Sequence, residues 1–388
     1  MKKLFKSYDS RVAPVIDSHF RQSNYFYFYE GDYYDWFIQL IISQLKMIDL
    51  DEPQELFTTS VTVQHMWMDL RLMWNESEYD DIHSIYIRQE HIWSPPLDVY
   101  SASDVKDHRD QDFRIVRLFN DGLLRTYVTM RLTTNCPLDM TEFPFDIQTC
   151  ELHFGLSGVD VDNYNMTIVA PSNELEELCG MGNSAWDVIN VTCGQMIHYS
   201  VRRAKARLAV LRLVLKRNPL FYMYMIILPT FIINLIAIGG VFLKKSSPME
   251  RLTIGFTHIM TMTFILGLVS EKIPKTKEIP LLGKYIVLSL CMMLFALVVS
   301  SLLKKFCAIT VDNRRFGNLG QTMKIIVLFG LQFLNAFSFF YMIYRFLKFE
   351  LEYGRKGSCH FRDDEKNYTK YSKMYFEYST EADTELIY

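Results

Sequence analysis

Four stretches of the chain, residues 220–243, 252–270, 285–303 and 325–344, contain no Asp, Glu, Lys or Arg. Each holds 19 to 24 residues. A helix rising ~1.5 Å per residue needs about 20 to cross the ~30 Å hydrocarbon layer. Buried helices of a large soluble protein would give the same local signal, but four such runs between residues 220 and 344 leave no polar face for water. The chain reads as a four-span membrane protein. Mean hydropathy over all 388 residues is only +0.03, because residues 1–218 mix polar and apolar side chains.

An even number of spans places both ends on one side. The connections at 244–251 and 304–324 carry eight Lys or Arg, while the one between the second and third runs carries four, at 272, 275, 277 and 284. Basic excess marks cytoplasmic loops, so residues 1–218 lie outside. Four glycosylation sequons, at Asn75, Asn165, Asn190 and Asn367, fall on that outer side. The first ten residues have no apolar core and are not a signal peptide. Either a leader has been removed or the start is incomplete.

The 41 Lys+Arg against 44 Asp+Glu leave a net charge of −3. That is not the basic excess that holds a phosphate backbone, so no nucleic-acid partner is expected. The 28 Phe, 23 Tyr and 20 Met supply apolar material for cores and exclude disorder as the dominant state. No P-loop, nucleophile elbow or zinc-type His/Cys spacing occurs. Neither an enzyme nor a resident metal or cofactor is expected.

Residues 57–160 and 185–217 show strand patterning. Val128, Met130 and Leu132 alternate with Thr129, Arg131 and Thr133, the period of a half-buried strand. Over residues 66–74 the same rule puts Met66, Met68, Leu70, Leu72 and Trp74 on one face, with Trp67, Asp69 and Arg71 on the other. Short strands broken by Asn, Asp, Gly and Pro predict an extracellular antiparallel β-sandwich over residues 1–218. A transmembrane four-helix bundle follows over 219–346, then a polar tail over 347–388. Trp67, a large aromatic on a polar face, is either covered by a loop or belongs to an interface or ligand contact.

Of seven cysteines, Cys291 and Cys307 lie in or just inside the third span, where disulfides are rare, and Cys359 is in the tail. The outer four can pair in an oxidising compartment: Cys136 with Cys150, 13 residues between them, and Cys179 with Cys193.

The segment between Cys136 and Cys150 encloses Phe143-Pro144-Phe145-Asp146. With this spacing and inner motif, the outer β domain and the four following spans, the sequence resembles the Cys-loop receptors, the pentameric neurotransmitter-gated ion channels. Within them it is most similar to the nicotinic-like, cation-selective branch. The resemblance covers residues 1 to about 346. It implies identical or related subunits around an axis, a small neurotransmitter-like ligand, monovalent cations as permeant ions and membrane lipid around the bundle. It also implies the plasma membrane, postsynaptic in an excitable cell.

The second apolar run is the least apolar of the four. Taking every third or fourth residue gives Glu250, Thr253, Thr257, Met260, Phe264, Leu268 and Glu271. This is one helical stripe with a carboxylate at each end. The two acids are 21 residues apart, about 31 Å along a helix and close to the hydrocarbon thickness. Such groups in a span face water or a partner, and His258, Thr261 and Thr263 are equally costly against lipid. The resemblance turns each Glu into a ring of five, and carboxylate rings select cations. Anion channels of the family usually have Pro-Ala-Arg before this helix; here the stretch is Pro248-Met249-Glu250-Arg251. Met260 and Phe264 make an apolar girdle that gates by dewetting, with Met where Leu is common.

In the family, agonists sit between subunits in a box of aromatics that attracts ammonium groups. By resemblance, Trp67 is the complementary-face tryptophan and Tyr100 the first principal-face tyrosine. Tyr199 lies near the hairpin that caps the pocket, and Trp93 reads as core. Two departures bear on the ligand. Ser157 stands where nicotinic receptors usually have tryptophan, and the capping hairpin carries Arg202, Arg203, Lys205 and Arg207 in place of an adjacent cysteine pair. Those cations repel a quaternary amine unless they project into solvent. An amine held differently, an acidic transmitter, protons, or an accessory role on the complementary side all stay open.

Coupling to the pore, again by resemblance, uses Asp51, Glu52, Arg217, the Cys-loop residues Phe143, Pro144, Phe145 and Asp146, and the connection ending at Pro280. Arg217 beside Asp or Glu in a partly desolvated junction predicts an ion pair, although surface Arg–carboxylate pairs are often weak. The connection at 304–324 is short for the family, and the tail reads as extracellular and poorly ordered. An accessory subunit, an anion-conducting member and a pore-less β-sandwich receptor are the alternatives to an agonist-binding cation-channel subunit.

Overall fold

The computed structural model describes residues 4–14, 36–108, 113–158, 164–169, 182–199, 205–243, 247–275, 278–309 and 314–353. The outer half is built from β1 (Trp36–Asp51), β2 (Leu56–Met68), β3 (Ser84–Arg88), β4 (Leu97–Val99), β5 (Ala102–Asp107) and β6 (Ile115–Phe119). It continues with β7 (Leu123–Asn135), β8 (Ile147–Leu156), β9 (Tyr164–Val169), β10 (Trp186–Tyr199) and β11 (Lys205–Arg217). Four helices follow: α1 (Leu220–Phe242), α2 (Pro248–Lys272), α3 (Leu281–Ile309) and α4 (Arg314–Tyr353). Each contains a window long and apolar enough to cross a membrane.

The strands form two sheets. One has the order β3-β6-β7-β2-β1-β9 with β5 also on β7, and the other is β10-β11-β8-β4. All pairings are antiparallel except β1 with β9, so the larger sheet is mixed, a correction to the purely antiparallel expectation. The alternation at Val128, Met130 and Leu132 holds along β7, where these residues and Leu124, Thr126 and Thr134 are buried. Their faces meet Phe57, Val61, Val63, Leu152, Phe154 and Leu211 in one core.

Two strand readings are corrected. β1 begins at Trp36, ahead of the patterned region, and its register shifts at Ile42/Gln44 and Met47/Asp49. Each shift breaks the period of two that marks a strand in sequence. At the other site, β2 stops at Met68 and Leu70–Leu72 is a 3₁₀ turn. Asp69 causes this. Its carboxylate accepts from the backbone N–H of Arg71 at 3.1 Å, from the Arg71 guanidinium and, at 2.9 Å, from the hydroxyl of Tyr8. A side chain that binds its own backbone two residues on competes with the ladder.

Cys136 and Cys150 are bridged, with Cα atoms 5.1 Å apart. Cys179 lies outside the described residues; Cys193 is half-buried on β10. In the bundle, Asn234 of α1 donates to Asn335 of α4 at 2.9 Å, both fully buried. Such a bond ties two helices in a medium that offers no water. α1 opens with a wide turn at Met223–Ile227 just before Pro229, whose missing N–H cannot serve the preceding carbonyls. α4 continues as helix through Tyr353, past the residues where the sequence turns polar.

Candidate functional site

Three regions collect the functional candidates. The first is the face of α2. Glu250, Thr253, Thr257, Met260, Phe264, Leu268 and Glu271 are all exposed in the single chain, whereas Arg251, Gly255, His258, Met262 and Val269 are buried against the other helices. The stripe therefore turns away from the chain's own bundle. His258 does not belong to it: it faces inward at 3% exposure, and neither ring nitrogen has a hydrogen-bond partner among the described residues. Glu250 has a second task. It accepts from the Ser247 N–H at 2.8 Å while Ser247 Oγ accepts from the Glu250 N–H at 3.2 Å, a reciprocal cap on α2. The Thr253 hydroxyl donates to the Met249 carbonyl at 3.0 Å.

The second region is the junction between the halves. Arg217, the last residue of β11, is 1% exposed. Its Nε and Nη2 donate to the two carboxylate oxygens of Asp146 at 2.7 and 3.1 Å, and Nη1 donates to Glu52 at 2.5 Å. The guanidinium lies 4.2 Å from the Trp186 ring and 4.7 Å from the Phe143 ring. Gln148 donates a further bond to Asp146 at 2.6 Å. The ion pair expected at a partly desolvated junction is present, and its Arg217 and Asp146 side chains are only 1% and 2% exposed. Burial acts to lower the pKa of Arg217, but Asp146 and then Glu52 outweigh it and hold the guanidinium above its ordinary value. Burial raises the Glu52 carboxyl despite the opposing pull of Arg217. Asp51 stands apart and accepts from the Gln54 N–H within the β1–β2 turn.

The Cys loop then grips α3. The N–H groups of Leu281 and Leu282 donate to the carbonyls of Thr141 and Phe143, both at 3.1 Å. These are first-turn donors, which have no acceptor inside their own helix. Pro280 supplies the entry to α3, its carbonyl accepting from Lys284 at 3.0 Å. The Phe143–Pro144 peptide is cis, and Phe143 and Phe145 are buried.

The sequence reading misses a third arm of this junction. On α4, Phe346 and Phe349 lie 6.3 and 6.1 Å from the Phe145 ring, and Arg345 pairs with Glu142. Lys216, its side chain 7% exposed, donates to Glu350 at 3.0 Å beneath the Phe349 ring. The Phe346/Phe349/Tyr353 spacing was the available signal, an apolar stripe continuing at helical period into polar sequence. Glu350→Ala should strip a near-buried ammonium of its partner. Because Glu350 is 35% exposed, the cost should be about 1–2 kcal/mol, below the ~3–5 of a fully buried pair. Thermal unfolding of the detergent-solubilised chain measures it.

The third region holds the residues expected to meet a ligand. Tyr100 is 46% exposed, and its hydroxyl donates to the Leu156 carbonyl at 3.0 Å. Gly155 makes room for it, since a Cβ there would come within 2.7 Å of the Tyr100 ring and 2.6 Å of Leu208. Burial and then Asp98 raise the phenol's pKa, keeping it a donor. Ser157 is exposed at the end of β8, its N–H on the Pro96 carbonyl at 3.0 Å. Tyr100 and Ser157 are thus brought together at the β4–β8 edge. Tyr199 closes β10 opposite Lys205; its side chain, and Arg202 and Arg203, lie outside the described residues.

Trp67 sits in the other sheet. It extends the inward set Phe57, Val61, Val63 and His65, and is 3% exposed, its indole N–H without a partner among the described residues. The polar face assigned to it from Asp69 and Arg71 is corrected, because those two residues lie beyond the end of the strand. Trp93 packs against the core, as read. Of the sequons, Asn75 is exposed at the start of a 3₁₀ turn, Asn165 accepts from Gln195 and Arg207, and Asn190 is half-buried at a bulge. Asn367 lies outside the described residues.

The structure is thus an outer β-sandwich whose disulfide-bridged loop is hydrogen-bonded to the first turn of a helix in a four-helix bundle. Residues 1–219 match the neurotransmitter-gated ion-channel ligand binding domain and residues 226–317 the neurotransmitter-gated ion-channel transmembrane region. The chain belongs to the neurotransmitter-gated ion-channel family, a family of channels and not of enzymes, and is a multi-pass membrane protein with an extracellular domain. It is 26% identical over 306 residues to neuronal acetylcholine receptor subunit alpha-4 of Gallus gallus, covering 77% of this chain and 46% of that one. Acetylcholine receptor subunit alpha-type des-2 of Caenorhabditis elegans is 29% identical over 293 residues, covering 72% and 51%. Neuronal acetylcholine receptor subunit beta-4 of Homo sapiens is 26% identical over 278 residues, covering 71% and 54%. The chain spans about half the length of these relatives.

Proposed function

We propose that the chain is a subunit of a pentameric channel of the plasma membrane, postsynaptic in excitable cells, that a small extracellular ligand opens to monovalent cations. The observation that carries this reading is the unburied face of α2, where carboxylates, hydroxyls and an apolar girdle share one stripe. Repeated around an axis by identical or related subunits, the stripe encloses a wet passage with an acid ring at each mouth. Arg251 supports the sign: it is turned to the buried face at 7% exposure, so its charge does not offset Glu250 in the stripe.

A ligand held between subunits near Tyr100 and Ser157 moves β8 and the Cys loop. Because the Cys loop carbonyls hold the first turn of α3, that motion reaches the end of α2 through the 273–280 connection.

Reversal potentials in oocytes, under dilution of sodium chloride, test the selectivity. Glu250→Gln is the informative substitution, since Gln retains the cap acceptor for Ser247 and removes only the charge. With five fewer negative charges at the mouth, the reversal potential should move toward that of chloride. An unmoved potential would reject the acid ring.

A further inference from the structure

The loop between Cys136 and Cys150 makes two polar contacts on opposite limbs. Its return limb presents Asp146 to the guanidinium of Arg217, and its outgoing limb presents the Thr141 carbonyl to the first turn of α3. One side chain lies between them. Gln148, the second residue of β8, is 2% exposed and bonds to both limbs.

Its amide is used in full. Nε2 donates to Asp146 Oδ2 at 2.6 Å and to the Asp139 carbonyl at 2.8 Å, while Oε1 accepts from the Asp139 N–H at 3.0 Å. The two bonds with Asp139 reproduce the exchange of an antiparallel ladder pair, so a side chain stands in for a strand where Asp139 lies beyond β7. The bond to Asp146 falls on the oxygen that also accepts from Arg217 Nη2 at 3.1 Å. It therefore helps to hold the carboxylate plane in line with the arginine fork.

From Asp139 the same limb runs on to α3. The Asp139 carboxylate accepts from the Thr141 N–H at 2.9 Å and from its hydroxyl at 2.5 Å, a turn in which a short acid binds its own backbone two residues on. The Thr141 carbonyl then takes the Leu281 N–H at 3.1 Å. A second route bypasses Gln148. Phe143, whose ring lies 4.7 Å from the Arg217 guanidinium, offers its carbonyl to the Leu282 N–H.

We infer that Gln148 is a positioning residue for gating, which joins the Arg217–Asp146 ion pair and the grip of Thr141 on α3 into one unit. A neutral amide suits this place, because it fixes the carboxylate without competing for it as a second cation would. Without that amide the N–H and carbonyl of Asp139 lose the partners it supplies, and the outgoing limb is no longer tied to the ion pair. The inference rests on the gating route proposed above and names the group that makes that route rigid.

Hydrogen exchange of the purified full chain, read at the Leu281 and Leu282 amides, tests this without a ligand or a current. Gln148→Met keeps the length of the side chain and removes its three bonds. It should speed exchange at Leu281 roughly 3–10-fold, the worth of one neutral hydrogen bond, and leave Leu282 within about twofold. Arg217→Lys should speed both amides in the parent. In the Gln148→Met background it should still speed Leu282 but add nothing at Leu281, because the route to that amide is already cut. Gln148→Glu retains the acceptor for the Asp139 N–H and loses both donor bonds. It should act in the same direction, and it replaces Gln148→Met in the comparison if that variant does not fold.

Equal acceleration at Leu281 and Leu282 would mean that Gln148 only supports the fold, and overturns the inference. An Arg217→Lys effect on Leu281 of the same size with and without Gln148 overturns it too. Currents in oocytes are judged separately. A conducting parent whose Leu281 amide ignores Gln148 rejects the link alone, whereas the expected exchange pattern in a chain that never conducts rejects the channel alone.

Discussion

Arg217→Met is expected to cost about 3–5 kcal/mol, the loss found when one partner of a buried ion pair is removed. The carboxylate of Asp146 is only 2% exposed, so it cannot recover water when the guanidinium goes. Glu52 is left half-enclosed beside it, two like charges without a common cation. On a typical stability of roughly 5–15 kcal/mol, that loss removes a large share. At about 2–4 °C per kcal/mol, the melting temperature should fall by roughly 6–20 °C. Arg217→Lys keeps the charge but cannot reach both Asp146 oxygens and Glu52 with one ammonium, so it should fall between parent and Met. Pairing Arg217→Met with Asp146→Asn should recover part of the loss, because the uncompensated charge is then gone. If the single and double variants melt alike, the pair does not stabilise the junction through charge.

Acidification should destabilise the outer domain through His65. This imidazole is buried in β2, and burial, then the charge of Arg114, depresses its pKa from 6.5 to about 3. Among the described residues its Nε2 has no partner to stabilise a proton. The sign follows from proton counting: between pH 6.5 and 3 the unfolded chain binds a proton there that the folded chain refuses. Stability from this residue is complete above pH 6.5 and falls by ~1.4 kcal/mol per unit below it. At pH 4.5 the deficit should reach roughly 3 kcal/mol relative to pH 7.5. His65→Leu removes the titrating group and the orphaned nitrogen, so the gap between variant and parent should widen as pH falls. Chemical denaturation at several pH values measures it, and parallel pH profiles for the two proteins would show that His65 protonates alike in the folded and unfolded chain.

The bundle and the α2 stripe are legible in the sequence because each depends on local facts. Span length is a count of uncharged residues, and a stripe is a helical period. The Cys136–Cys150 bridge and the β7 alternation are local in the same sense. Trp67 shows where that logic stops. Whether it belongs to a polar or a buried face turned on Asp69 and Arg71, and Asp69 had already ended the strand by binding its own backbone. β1 escaped notice for a similar reason, since each bulge shifts the alternation by one residue.

The order of residues by itself determined that this chain crosses a membrane four times behind a disulfide-looped β domain, and that one span bears acids at both ends. Those properties follow from hydropathy and period over ten to twenty residues. Only the tertiary structure decided that Arg217 is enclosed by Asp146 and Glu52, that α4 reaches up to Phe145, and that Arg117 stands opposite Arg125. Each of these joins groups whose pairing is set by sheet register or by the meeting of two domains. Desolvation, which gives such contacts their energy, is a property of the packed whole and of no single segment.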